Sequence, residues 1–140
     1  MRLVVLSACQ TALTEFERIP DEAIGLPAGF LHAGAAGVVG ALWPVNDLST
    51  AVLMSTFYRL LIVGTPEDGP LPPAEALRRA QRATARMSRD EIRTFVGSMA
   101  SLQRAFRRWA GSTRGAAPPA EATKPFSHPY YWAGFTLTGC

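Results

Sequence analysis

The chain has 140 residues, of which 48% are apolar, and its 14 basic and 11 acidic side chains give a formal net charge of +3. This composition fits a globular chain of at most one domain. Two cysteines exclude a disulfide framework, two histidines with two distant cysteines exclude a zinc cluster, and no apolar run reaches the roughly 18 residues of a membrane span. We therefore expect a cytoplasmic chain with free thiols, and the sequence indicates no metal and no organic cofactor.

The charge is divided unevenly between the two halves of the chain. Residues 1–70 hold three arginines and seven acids, whereas residues 71–140 hold ten arginines, one lysine and four acids. Five of the arginines recur at spacings of three or four and predict one basic stripe along a helix: Arg78, Arg82, Arg86, Arg89 and Arg93. Because no aromatic residues alternate with them and no RNA-binding or zinc-finger pattern occurs, we predict a solvated helix face and no nucleic-acid partner.

The first part of the chain predicts a strand, a helix and a second strand. Leu3–Leu6 is a continuous apolar run, which indicates a strand buried on both faces, as in parallel sheets. Asp21 is a candidate N-cap for a helix that reaches about His32. The small and β-branched residues 36–43 predict the second strand, which Pro44 closes.

The rest of the chain predicts three helices, a loop and a last strand. Residues 46–49 are expected to form a turn with cap-capable side chains, followed by a helix whose apolar residues recur at helical spacing from Leu53 as far as Val63. Two more helices are expected over residues 74–87 and 90–109. Residues 111–125 are rich in Gly, Ala, Pro and Thr and predict a flexible surface loop, and residues 130–138 predict the third strand. Strands that alternate with helices predict an α/β layer architecture with a parallel sheet.

Cys9 is the candidate nucleophile of the chain. It follows the first predicted strand, and the functional groups of open parallel sheets gather beyond the carboxyl ends of the strands. Backbone N–H groups of the following turn would favour a thiolate there and could hold a thioester oxyanion. A small buried thiol that serves only in packing is the alternative for a lone cysteine.

A resemblance to a known family rests on blocks of sequence spread along the whole chain. The blocks are residues 3–11, 22–26, 30–35, 38–47, 57–61, 73–81 and 128–135. In this order and spacing they resemble the CHAT family of caspase-like peptidases. The resemblance implies an α/β fold of caspase type, a three-layer α/β/α sandwich with an incomplete, mostly parallel sheet. On this basis residues 1–140 are expected to form a single partial CHAT domain, its C-terminal portion.

The resemblance also implies an activity, that of a cysteine peptidase in the clan of caspases and separases, which cleaves a protein or peptide substrate with a Cys-His dyad. Carried onto this chain, the nucleophile is Cys9, and its backbone N–H would be one oxyanion donor. Asp47 would pair with a basic substrate side chain, and Gln10 and Trp43 would line the substrate site. Helix capping by Asp47 or Asn46, and a core position for Trp43, stay open as alternatives.

The general base departs from the family pattern. The family's histidine precedes the cysteine, at the end of an earlier strand, whereas no histidine precedes Cys9 here. His32 is expected on a helix surface and His128 in a loop that it anchors. A thiol with an ordinary pKa of about 8.5 is only a few per cent ionised near neutrality. We therefore expect little or no peptidase activity from this chain alone.

Three explanations of the missing histidine stay open. The chain is the C-terminal portion of a longer domain, or a partner chain brings the His-bearing strands, or the chain is a non-catalytic remnant that binds other proteins. The first is favoured because the sequence begins inside a predicted buried strand. Unpaired strand edges would make such a chain poorly soluble or dependent on a partner. Family analogy alone suggests a helical-repeat domain as a regulatory partner.

A different class, a bacterial lipoprotein, is suggested by the small residues before Cys9, which fit a cysteine that receives a lipid. The apolar stretch Leu3–Leu6 is shorter than the roughly 7–15 residues of a signal core. A lipid on Cys9 would also leave the later blocks of the resemblance unexplained. We therefore rank the lipoprotein hypothesis below the peptidase hypothesis.

Overall fold

The structure is a computed structural model that describes three ranges of the chain, residues 3–6, 25–98 and 123–139. Several sequence predictions fall outside these ranges. They are the helix start at Asp21, the predicted fourth helix beyond Ser98, and the loop over 111–122. The remaining predicted elements lie within the described ranges, and they form two compact units.

The first unit, Met1–Val45 with Ala133–Cys140, contains a three-stranded sheet. Its elements are β1 (Leu3–Leu6), α1 (Gly25–His32), β2 (Gly37–Ala41) and β3 (Phe135–Gly139). β2 is the central strand, and Val38 and Val39 within it are fully buried. Two adjacent valines that face opposite sides of the sheet are both buried only when both faces are covered.

The directions of the strands make this sheet mixed. β1 pairs with β2 in parallel, as predicted, with Leu3 opposite Gly37 and Leu6 opposite Gly40. β3 pairs with β2 in the antiparallel direction, with Phe135 opposite Ala41. The expectation of a mostly parallel sheet is therefore correct for one of the two strand pairs in the described part of the chain. The apolar pattern of a strand reports its burial and carries no information about its direction.

The predicted third strand begins five residues later than expected. Pro129–Tyr131 forms a 3₁₀ turn, and the strand starts only at Phe135. Pro129 fixes its own φ and has no N–H, which favours a turn, and the Nδ1 atom of His128 accepts the N–H of Tyr130 at 3.2 Å. Local hydrogen bonding at His128 thus overrides the β preference of the tyrosines.

The described part of the second unit, Asn46–Trp132, contains three α-helices. They are α2 (Asp47–Ile62), α3 (Pro73–Arg86) and α4 (Arg89–Gly97), and α2 packs against α3. A cluster of buried side chains joins α2 and α4 to the segment before β3: Leu48, Val52, Ile92, Val96, Phe126 and Tyr131. The rings of Phe126 and Tyr131 lie 5.3 Å apart between centroids, a distance typical of a stabilising aromatic pair.

The basic stripe predicted along one helix is divided between two. α3 ends at Arg86, and Ser88 begins α4 with a capping box. The Ser88 hydroxyl accepts the N–H of Glu91 at 3.3 Å, and the Glu91 carboxylate accepts the N–H of Ser88 at 2.7 Å. Arg89 and Arg93 therefore lie on a different helix from the three preceding arginines.

An ion-pair cluster on α3 gives one prediction for acid stability. Glu75 accepts hydrogen bonds from Arg78 and Arg79, each with a shortest Nε to Oε distance of 2.6 Å, and these bonds lower the pKa of Glu75 from 4.5 to about 2. The folded chain therefore binds this proton less readily than the unfolded chain. The stabilisation is complete above pH 4.5 and is lost as the pH falls towards 2.

We expect the difference in urea midpoint between wild type and Glu75→Gln to be constant above about pH 5 and to vanish near pH 2. Asp90→Asn is the matched control, because the Asp90 carboxylate lies 4.0 Å from Arg93 and its side chain is 92% exposed. An equal pH dependence for Asp90→Asn would contradict the role assigned to Glu75.

The described ranges contain neither a membrane-spanning helix nor a cluster of metal ligands. None of their helices combines the length and the apolar character needed to cross a membrane. Within the same ranges, no three residues among His, Cys, Asp and Glu come together as metal ligands would.

Candidate functional site

One edge of the sheet in the first unit gathers the segments that the sequence singled out. Because β1 and β2 are parallel, their carboxyl ends lie at the same edge, and the antiparallel β3 brings its amino end there. The hydrogen bond from the N–H of Leu42 to the carbonyl oxygen of Gly134, 2.8 Å long, continues the β2–β3 pairing by one step. Leu42 and Trp43 then bend away from the sheet.

Cys9 and Gln10 lie outside the described residues. Cys9 follows Leu6, the last residue of β1, by three positions. The roles of nucleophile for Cys9 and of substrate contact for Gln10 stay predictions.

Trp43 is partly buried, and its indole lies against the backbone of Gly134. A Cβ atom placed on Gly134 would be 2.9 Å from Cε2 and 3.1 Å from Nε1 of this ring, and 3.0 Å from Cγ1 of Val45. The neighbours of Trp43 in the loop are apolar and exposed, Leu42 to 56% of its surface and Pro44 also beyond one third. The indole is therefore part of an apolar rim at the carboxyl edge, which we define as Leu42, Trp43, Pro44 and Gly134.

Asp47 is the first residue of α2 and belongs to the second unit. The N-cap of this helix is Asn46, whose side-chain oxygen accepts the N–H of Leu48 at 3.1 Å and of Ser49 at 3.2 Å. The capping alternative is thus confirmed for Asn46. Asp47 is exposed, and no basic side chain of the described ranges forms an ion pair with it. A carboxylate in the first turn also interacts favourably with the helix dipole.

His32 lies at the end of the sheet opposite to the carboxyl edge. Its neighbour Leu31 comes within 2.9 Å of a Cβ atom placed on Gly139, and Gly139 is opposite Gly37, the first residue of β2. The four residue steps of β2 separate the two ends by about 13 Å. His32 is exposed at the last position of α1, as predicted for a helix-surface residue.

His128 belongs to the second unit, where it caps the 3₁₀ turn Pro129–Tyr131. Its Nδ1 atom accepts the N–H of Tyr130 and therefore holds the chain in the turn. This agrees with the prediction that His128 anchors the segment before the last strand.

Gly134 is the residue of the rim that sequence reasoning missed. It stands between Ala133 and Phe135 in an aromatic-rich segment, and it was assigned to a strand interior. A glycine in a strand-like run signals a close approach of another group, and this signal could have identified it. The partner that approaches, Trp43, is 91 positions away along the chain and could not be named from the sequence.

Two comparisons with known proteins bear on this arrangement. The family model described as CHAT domain matches residues 1–140. Tetratricopeptide repeat protein 28 of Mus musculus is 29% identical over 139 residues, which cover 99% of this chain and 4% of that protein, so the chain spans a small part of this curated relative. No solved structure matches the chain significantly. Since the family model covers the whole sequence, the chain belongs to the CHAT domain family, a caspase-like family.

Proposed function

We propose that this chain is the nucleophile-bearing portion of a caspase-like cysteine endopeptidase, with Cys9 as nucleophile. The observation that carries the proposal is the parallel pairing of β1 with β2 in a chain that matches the CHAT domain along its whole length. The pairing puts the carboxyl ends of β1 and β2 at the same edge of the sheet, and in the sequence Cys9 follows the first strand and Trp43 the second. The proposed fold is the three-layer sandwich of caspases, and the proposed setting is the cytoplasm.

The chemistry of such a site is acyl transfer to sulfur. The Cys9 thiolate attacks the carbonyl carbon of the scissile peptide bond, and the backbone N–H of Cys9 stabilises the oxyanion. The amine leaves with a proton, a thioester remains on sulfur, and water then hydrolyses it. Asp47 pairs with a basic side chain of the substrate, while Gln10 and Trp43 contact the peptide.

The proton transfers of this reaction require a general base, which we place in a segment outside these 140 residues. His32 lies at the opposite end of the sheet, and His128 accepts a backbone N–H in its turn. A histidine on a strand beside β1 would reach the carboxyl edge, because β1 has no second pairing partner among the described strands. Such a strand comes from an N-terminal extension or from a partner chain.

The test is covalent trapping of Cys9 by a peptide electrophile. A tripeptide chloromethyl ketone with Arg before the reactive group is added to an extract of the protein's own cells, and mass spectrometry locates the thioether that forms as chloride leaves. We expect label on Cys9, no label in Cys9→Ser, and unchanged label in Cys140→Ser. Asp47→Asn should reduce the preference for Arg over Asp before the reactive group.

Cys140, the second thiol of the chain, serves as the internal reference. Peptide label that accumulates on Cys9 no faster than on Cys140 in the extract would overturn the peptidase proposal. The chain would then be a protein-interaction module of caspase-like fold. This second function is favoured by one observation, the position of His32 at the end of the sheet opposite to the carboxyl edge.

A further inference from the structure

We propose that Gly134 is a positioning residue, which sets the Trp43 indole at the carboxyl edge of the sheet so that it contacts the peptide substrate. The inference rests on the proposed function, and it adds to that function a residue that determines how the substrate is held. Three observations carry it: the contact between Gly134 and the indole, the fixed backbone of Gly134, and the apolar character of the rim.

The contact leaves no room for a side chain at position 134. Two of the three closest atoms to a Cβ placed there, at 2.9 and 3.1 Å, belong to the rigid indole of Trp43. Real Cβ atoms essentially never come within 3.0 Å of another heavy atom. An alanine at this position therefore forces either the backbone or the ring to move.

The backbone of Gly134 is held on its carbonyl side by two features. Its carbonyl oxygen accepts the N–H of Leu42 at 2.8 Å. The next residue, Phe135, is 2% exposed and lies opposite Ala41 in the sheet. Moving Gly134 away from the indole would break this hydrogen bond and disturb a buried aromatic ring, so an alanine at this position changes the contact with Trp43.

The rim that the indole completes is apolar. The chemistry of the rim therefore indicates which kind of substrate side chain contacts it. Leu42, Trp43, Pro44 and Gly134 carry no charge, and His32 is the sole ionisable side chain in the described ranges of the first unit, at the other end of the sheet. An indole face beside exposed leucine and proline binds apolar side chains, because contact removes apolar surface of both partners from water. We therefore assign to this rim an apolar side chain of the peptide, distinct from the basic side chain assigned to Asp47.

A matched pair of glycine substitutions tests the position of the ring. The Trp43 indole N–H is followed by NMR in the full-length chain, with Trp43→Phe to identify its resonance among the three tryptophans. Gly134→Ala should shift this resonance. Gly40→Ala is the control, because Gly40 lies in the same sheet and has nothing within 4 Å of its Cβ position. An unshifted resonance in Gly134→Ala, or an equal shift in Gly40→Ala, would overturn the inference.

Trapping of Cys9 in cell extracts tests the effect on the substrate. A peptide chloromethyl ketone with an apolar residue second from the reactive group should label Gly134→Ala about tenfold more slowly than wild type. Iodoacetamide, which has no peptide, should label both within about twofold. An equal loss with iodoacetamide would indicate a general change around Cys9 and would contradict a positioning role.

A double substitution separates positioning from structural damage. Trp43→Leu removes the ring that Gly134 accommodates, so adding Gly134→Ala to it should cause no further loss of peptide labelling. If the double variant instead lost peptide labelling by the combined effect of the two single variants, the inference would be overturned. If wild-type Cys9 shows no preference for peptide reagents, the proposed function fails and the substrate contact fails with it, while the indole resonance still reports whether Gly134 positions Trp43.

Discussion

At pH 6, Cys9 in an extract of the protein's own cells should react with iodoacetamide roughly tenfold faster than Cys9 in the purified chain. A thiol with an ordinary pKa of about 8.5 is ionised to roughly 0.3% at this pH, whereas a thiol beside an imidazolium, with its pKa lowered to about 6, is ionised to about half. The ionised fraction of the thiol therefore rises by more than about a hundredfold. A thiolate of lower pKa is intrinsically a weaker nucleophile, by about tenfold for this difference, so the expected net gain is about tenfold.

The shape of the pH profile distinguishes this mechanism from simple exposure of the thiol. In the extract, the rate at Cys9 should reach a plateau near pH 7, whereas in the purified chain it should continue to rise through pH 8.5. Cys140 on the same chain provides the reference rate at each pH. Identical profiles for Cys9 in both samples would exclude a histidine supplied by another segment and would leave the interaction module as the function of the chain.

Phe126→Ala should destabilise the second unit by about 3–5 kcal/mol, the largest effect that we expect from a single truncation. The Phe126 side chain is 0% exposed and stacks with Tyr131 in the cluster that holds α2 and α4. Truncation of Phe126 removes apolar contacts from the cluster and leaves a cavity. Both effects lower the free energy of unfolding. The free energy of unfolding is measured by urea denaturation, followed by the helical signal in circular dichroism.

Ile62→Ala is the matched control for this truncation. Ile62 ends α2 in the same unit, but its side chain is 68% exposed. Because this substitution removes little buried apolar surface, the free energy of unfolding should change by no more than about 0.5 kcal/mol. If Phe126→Ala does not fold, Phe126→Leu, which conserves most of the volume, should still unfold at a lower urea concentration than Ile62→Ala. Equal midpoints for Phe126→Leu and Ile62→Ala would contradict a central packing role for Phe126.

The local elements of this chain are determined by its sequence, because their signals lie within a few residues of each other. The run Leu3–Leu6 is a strand, and the helical spacing of the apolar residues from Leu53 to Leu61 falls within α2. The start of α2 is set by Asn46 through two hydrogen bonds to the next turn. The candidate role of Cys9 likewise rests on its place after a predicted strand, and this role stays a prediction.

Only the tertiary structure decided how these elements combine. The direction of β3 depends on the hydrogen bonds that it shares with β2, nearly a hundred positions earlier, and its apolar pattern is the same for either direction. The division of the basic stripe is the exception, because it depends on the local capping box of Ser88 and Glu91 that begins α4. The rim of Trp43 and Gly134 depends on the same antiparallel pairing, which places the start of β3 beside the end of β2. Sequence patterns report local preference and burial, whereas direction and contact arise from packing between distant segments, and the apolar rim of the proposed site exists only through such packing.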